Sequence, residues 1–268
     1  MKSMFTVIQE QIKSFYLIKR LSLFEMKSAN NNNYLGILWE FLNPLIQMGV
    51  YWVVFGMGIR GGREVDGVPF IFWMLSGISL WFFANPAIMD GTKSIYTRIN
   101  FISKMSFPMS AIPSYVIMSK FYQHIVIVIF LSIVLQFGGF PLSVYYLQLP
   151  YFMAAAIILF FAVTLVTSTL ATIVRDVTMI VQAIMRMLIY LTPLLWVSNS
   201  LPGFLQLIIK FNPLTYLVEG YRAAMLGHSW YFIEHLNYTF YFWGVTIVLL
   251  MIGSALHLKF RNHFVDYL

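Results

Sequence analysis

The feature that most restricts this chain is the recurrence of uninterrupted apolar stretches, near 34–58, 69–89, 110–136, 149–173, 177–197 and 239–258. A helix rises about 1.5 Å per residue, so a run of about twenty apolar residues crosses the roughly 30 Å hydrocarbon layer of a bilayer. Composition agrees, because 60% of the 268 residues are apolar and only 10% charged, against about 25% charged in ordinary soluble domains. Such a surface cannot be solvated all round. The expected fold is an all-α integral membrane protein of six transmembrane helices, forming a single domain over 1–268. Within it, 1–33 is read as an interfacial helix and turn, 34–258 as the six spans and 259–268 as a tail.

The first thirty residues contain Lys2, Lys13, Lys19, Arg20 and Lys27 but no continuous apolar core, which argues against a cleaved signal peptide. Phe5, Ile8, Ile12 and Phe15 recur at helical spacing, with Gln9, Glu10, Gln11 and Lys13 mostly on the other side. This pattern predicts an amphipathic helix lying in a membrane interface. Four asparagines at 30–33 then mark a turn or cap before the first span.

Six spans put both termini on one side. The segments on that side carry eleven Lys or Arg and the opposite segments four. By the positive-inside rule both termini are expected in the cytoplasm, with the chain a multi-pass protein of the cytoplasmic membrane, surrounded by lipid. Between spans two and three, 92–105 places Ile95, Ile99 and Ile102 on one face and Lys93, Arg98 and Lys104 elsewhere. That reads as a short amphipathic helix, either a docking point for a soluble partner or a helix resting on the membrane surface. On the opposite side, 198–238 is too long for a hairpin. It contains Pro202, Pro213 and an apolar run at 204–209 too short to span, so re-entrant or interfacial half-helices are expected. The absence of an internal repeat gives no support to an inverted-repeat carrier.

Chemistry-bearing motifs are few. No GxxxxGK[ST] phosphate-binding loop, HExxH or GxSxG occurs, so catalytic, cofactor-binding and metal residues are not expected in this chain. With no cysteine there is neither a disulfide framework nor a thiolate site. The five histidines, His124, His228, His235, His257 and His263, lack metal-ligand spacing and read as solvated or interfacial. Charge inside the spans says more, since a cation at a helix centre costs about 2.5–3.5 kcal/mol on insertion scales. Lys120 and Arg186 fall near the middles of spans three and five, whereas Glu40 is the only carboxylate within a span so drawn. Uncompensated positive charge facing a cavity would suit an anionic substrate; snorkelling or pairing is the alternative. Aromatic residues, 18% of the chain, gather near span ends. Trp73, Trp81, Phe82 and Phe83 are candidates for a conduit in which ring faces pack on sugars, although interfacial belts are the simpler reading. Glu219 and Arg222 share a helical face at the mouth opposite the termini.

Several segments carry a resemblance: the amphipathic start, YLGILWEFLNPLIQ at 34–47, the Arg175–Asp176 pair, and FNPLTYLVEGYR at 211–222. Together they resemble the ABC-2 type permeases that export polysaccharides. FYLIKRLSLFEMK, VYWVVFGMGIR, GVPFIFWMLSGISLWFF and the terminal HLKFRNHFVDYL are most similar, within that group, to the wall teichoic acid translocation permeases of Gram-positive bacteria. The resemblance implies a homodimer of six-helix subunits with two copies of a separate ATP-binding subunit, which would hold ATP and Mg. It implies export of an undecaprenyl-diphosphate-linked anionic polymer, with 92–105 as the coupling helix and 198–238 as short helices near the exit. No nucleic-acid partner is expected. Export of another lipid-linked glycan, such as O-antigen or capsule, remains open. So does a membrane-embedded enzyme acting on lipid-linked sugars, although the scattered carboxylates form no catalytic cluster.

Overall fold

The computed structural model describes residues 2–28, 33–59, 61–102, 108–197 and 202–267. All of its regular structure is helical, with no β-strand among the described residues. Two helices, α1 (Lys2–Lys13) and α2 (Phe15–Ser28), precede α3 (Trp39–Tyr51), which continues as π-helical turns over Trp52–Ile59. The long helices α4 (Phe70–Ile102), α5 (Ala111–Phe137) and α6 (Leu149–Ile173) follow, then the shorter α7 (Val177–Leu191). Three short helices, α8 (Gly203–Phe211), α9 (Pro213–Met225) and α10 (Tyr231–Glu234), lead into α11 (Leu236–Phe260).

Among the described residues, five helices are long and apolar enough to cross a membrane: Trp39–Ile59, Phe70–Arg98, Ala111–Phe137, Val144–Ile173 and Leu236–Phe264. The sixth expected span is shorter than its hydropathy suggested. At 15 residues, α7 rises about 22 Å, less than the roughly 30 Å of hydrocarbon. Pro193 explains the early stop. A proline pushes the residue before it out of the helical region, and Thr192 is indeed extended (φ −90°, ψ 137°).

Helix α4 forms the centre, with α3, α5, α6, α7 and α9 packed around it. Without a strong hydrophobic force in lipid, such packing rests on close approach and interhelical hydrogen bonds. Thr92 Oγ1 meets Thr167 Oγ1 at 2.8 Å where α4 passes α6, and Phe83, Phe152 and Phe160 fill the interior.

Both described ends of the chain gather at one end of the bundle. Arg261 Nη1 donates to Glu10 Oε1 (2.7 Å), Ser114 Oγ to Gln11 Oε1 (2.6 Å) and Ser22 Oγ to Tyr122 Oη (3.3 Å). The amphipathic segment at 4–16 is thus split between α1 and the start of α2, both pinned by polar side chains, while Phe5, Ile12 and Phe15 stay exposed. The opposite end holds α8–α10 and the turn before α4. There Val65 N and Val68 N each donate to the other's carbonyl (2.8 and 2.9 Å) across Asp66 (φ 51°) and Gly67 (φ 77°). Positive φ at both central residues makes this a type I′ turn, which Asp-Gly suits.

Candidate functional site

Midway along the bundle, α3, α4 and α5 enclose a recess of about 240 Å³. Trp81 and Phe82 of α4 and Trp39 of α3 supply its rings. Asn43 and Gln47 of α3, Asn85 of α4 and Gln123 of α5 supply amides, beside Glu40. Residues 39, 40, 43 and 47 fall on one face of α3 because helical neighbours lie three and four apart. Pro44 and Pro86 also line the recess. Each removes the amide that would bond the carbonyl four residues earlier, at Glu40 and Phe82. Gln123 Nε2 is buried there without a hydrogen-bond partner among the described residues. Polar groups within apolar helices are expensive and usually face a cavity or pathway. An amide offers both donors and acceptors, so with aromatic faces this lining can pair with hydroxyl-rich, uncharged groups.

The expected pathway residues separate. Trp81 and Phe82 meet at this recess, but Phe83 turns into the core, stacked on the His124 ring (4.9 Å, 15°) and against Phe160 (5.1 Å). Lys120 is not uncompensated: its Nζ lies 3.2 Å from Asp90 Oδ2. Asp90 escaped the reading of the spans because α4 runs unbroken past 89, where a cytoplasmic loop was expected, so Glu40 is not the only carboxylate at span depth. Arg186 stands exposed on α7 among exposed Met179, Ile180, Met187 and Tyr190.

The expectation of a separate amphipathic helix over 92–105 is corrected by the same continuity. Lys93, Ile95 and Arg98 lie on the last turns of α4. Ile95 is buried, and Arg98 donates to Glu25 of α2, with its guanidinium 5.8 Å from the Tyr115 ring. The side chains of Ile99 and Ile102, and all of Lys104, lie outside the described residues.

At the opposite end Arg222 is nearly fully buried and joins three elements. Its Nη1 donates to Glu219 Oε1 (2.8 Å), its Nη2 to Pro193 O (2.5 Å) and Leu194 O (3.4 Å), and its Nε to Trp73 O (3.3 Å). The guanidinium also lies 3.5 Å from the centre of the Trp73 ring. Gly77 makes room, since a Cβ there would sit 2.7 Å from Nη2. Beside it, Asn212 caps α9 by accepting from Leu214 N (3.0 Å) and donates to Thr192 Oγ1 (2.8 Å). The expected Glu219–Arg222 pair is present, while Trp73 serves this junction rather than the central recess.

Two of the five histidines depart from the solvated or interfacial reading. His124 is buried with Nε2 2.8 Å from Tyr221 Oη, and His257 is buried beside Thr169 (3.3 Å). Sequence reasoning also passed over the amides of the recess. Their signal was available as uncharged polar residues repeated at helical spacing inside apolar stretches.

A helical bundle with several membrane-length helices, a polar recess among them and short helices at one end defines an integral membrane domain. The chain belongs to the ABC-2 type transporter family, whose sequence pattern matches residues 16–226. It is similar to two O-antigen export system permease proteins, both RfbA. That of Klebsiella pneumoniae is 25% identical over 252 residues, covering 91% of this chain and 92% of the relative. That of Myxococcus xanthus is 23% identical over 245 residues, covering 90% and 91%.

Proposed function

We propose that this chain is the permease subunit of an ATP-driven exporter of a lipid-linked polysaccharide. The observation that carries the substrate class is the recess lined by amides and aromatic rings between α3, α4 and α5. Rings pack on the C–H faces of sugars and amides exchange hydrogen bonds with hydroxyls. The names of the relatives, both O-antigen exporters, support an O-antigen-like glycan. They favour that substrate over the teichoic acid that the sequence resemblance suggested, and the Lys120–Asp90 pair removes one of the two cations assigned to a polyanion. A second reading, export of wall teichoic acid, retains support from the exposed Arg186, which can meet phosphate.

In this proposal two copies of the chain combine with two copies of an ATP-binding subunit, which holds ATP and Mg. Arg186 on an exposed apolar helix supports the pairing of permeases, because a cation at a helix centre facing lipid costs about 2.5–3.5 kcal/mol. A second copy against α7 gives it a watery or polar neighbour instead. Both termini face the cytoplasm, and the ATP-binding subunit docks at the end formed by α1, α2 and the last turns of α4. Each nucleotide state must favour a different helix arrangement for coupling to occur.

The test is reconstitution of the chain with its ATP-binding subunit in vesicles supplied with lipid-linked O-antigen or lipid-linked teichoic acid. ATP-dependent export of a lipid-linked glycan is expected, requiring both subunits. Transport or cleavage by the chain alone, or transport driven by an ion gradient without ATP, would overturn the proposal. Preference between the two polymers decides between the two substrates.

A further inference from the structure

A second and larger cavity, about 570 Å³, lies at the end of the bundle opposite the termini, between α8, the start of α11 and the turn before α4. Its size falls within the roughly 300–1,000 Å³ of small-molecule sites. Its rings are held rather than loose. Tyr241 Oη donates to Phe211 O (2.8 Å) and Tyr238 Oη to Asn212 O (3.4 Å), so both tyrosines are tied to the α8–α9 junction. Their rings lie nearly parallel, 22° apart with centroids at 6.1 Å. Trp73 adds a third ring, fixed by the guanidinium of Arg222.

Polar groups face the same space. Asp66 comes from the type I′ turn, whose flanking Val65 and Val68 are buried and hold it in place. Glu219, Asn237 and Gln206 approach from α9, α11 and α8. The described lining offers an anionic ligand no surplus of positive charge: Glu219 and Arg222 are paired with one another, which leaves Asp66 against Lys210. Lys210 is the one lysine or arginine among the described residues of the lining, which also includes His235. An acyl chain would offer Asp66 and Asn237 no hydrogen bond on covering them, which is costly. Aromatic faces with carboxylate and amide acceptors suit vicinal hydroxyls on an uncharged ring.

We infer that this cavity is a saccharide-binding site for a neutral or N-acetylated hexose unit, separate from the central recess. It rests on the exporter reading for the source of its ligand, the polymer emerging on the outer side. Its chemistry stands on the cavity alone.

The experiment is saturation-transfer NMR on the complex with its ATP-binding subunit in nanodiscs, without ATP. The probes are methyl glucoside, methyl N-acetylglucosaminide, inorganic phosphate and decyl phosphate. Saturable transfer to a glycoside is expected, with binding about tenfold weaker in Asp66→Asn, as loss of a hydrogen bond to a charged group implies. Asn tolerates positive φ, so the turn is retained. Tyr241→Leu, which removes one ring, is a second variant, and both are checked for unaltered thermal unfolding. No glycoside binding, binding of the phosphate or decyl probes instead, or undiminished binding in both variants would overturn the site. Export with no glycoside binding defeats the site and leaves the exporter standing. Glycoside binding without ATP-driven export does the reverse.

Discussion

Replacing Arg222 by Met retains the length of the side chain and its contact with Trp73 while removing the charge and the fork of donors. The magnitude follows from what is left behind. Two short charge-assisted bonds are lost, to Pro193 O at 2.5 Å and Glu219 at 2.8 Å, together with two longer ones. Hydrogen bonds to charged groups contribute about 1.5–3 kcal/mol each, a desolvated cation–π contact about 2 kcal/mol, and breaking a buried pair about 3–5 kcal/mol overall. These contributions overlap, and Glu219 remains a third exposed, so about 4 kcal/mol is expected. At about 2–4 °C per kcal/mol for a chain of this size, the unfolding midpoint in detergent should fall by about 10 °C. Arg222→Lys should fall nearly as far, because an ammonium cannot reach Glu219 and Pro193 in one plane. Adding Glu219→Gln to Arg222→Met should recover about 1 kcal/mol by relieving the orphaned carboxylate. Midpoints within about 3 °C of the parent for both Arg222→Met and Arg222→Lys would refute the view that this guanidinium ties α9 to α4 and the end of α7.

Gln123→Leu should leave thermal stability unchanged or raise it by about 1 kcal/mol, since its buried Nε2 lacks a partner among the described residues. Glycan export in vesicles should nevertheless fall, and a large loss of stability would show that the amide is structural. Asp90→Asn and Lys120→Gln should each destabilise by about 1–3 kcal/mol, whereas exchanging the two charges should restore stability; a double exchange no better than either single variant would deny the pair. Gly220→Ala places a Cβ 2.2 Å from the Phe152 ring, an overpacking expected to cost about 1–3 kcal/mol and to be eased by Phe152→Leu in the same melting assay. In this cysteine-free chain, Met187→Cys should form a disulfide between copies on oxidation, and monomers only on a denaturing gel would argue against pairing through α7.

How much of this was legible in the sequence depends on whether a property is local. The long helices were readable because an apolar run of membrane length needs no partner to declare itself. The end of α7 at Pro193 was readable too, but hydropathy carries on through Leu194, Leu195, Trp196 and Val197 and masked the steric stop. The opposite error occurred at Asp90, where charge suggested a loop. Backbone hydrogen bonding carries α4 onward because Lys120 of a neighbouring helix meets the carboxylate, and that compensation lies thirty residues away in sequence. The Glu219–Arg222 pair was visible at i, i+3, yet its burial depends on Gly77, Trp73 and the carbonyls freed at Pro193, which come from two other elements.

The two polar cavities illustrate the same limit in functional terms. No single helix announces either one: the central recess draws amides from α3, α4 and α5, and the cavity opposite the termini takes its walls from α8, α9, α11 and the turn at Asp66. Along the chain these residues read as isolated polar interruptions. Brought together they differ in charge: each carries carboxylate, but in the central recess one such group stands among four amides. On the proposed exporter reading, a translocating polymer must be held weakly at each step or it will not move on, and amides meeting sugar hydroxyls would provide weak, repeated and exchangeable contacts. The second cavity instead has two of its rings, Tyr238 and Tyr241, fixed by hydrogen bonds to the α8–α9 junction, which would lower the entropy lost on binding the saccharide proposed for it. Arg222 of α9 bonds the carbonyls that follow α7 and the carbonyl of Trp73 on α4, and the Trp73 ring that its guanidinium covers is part of the lining of this second cavity.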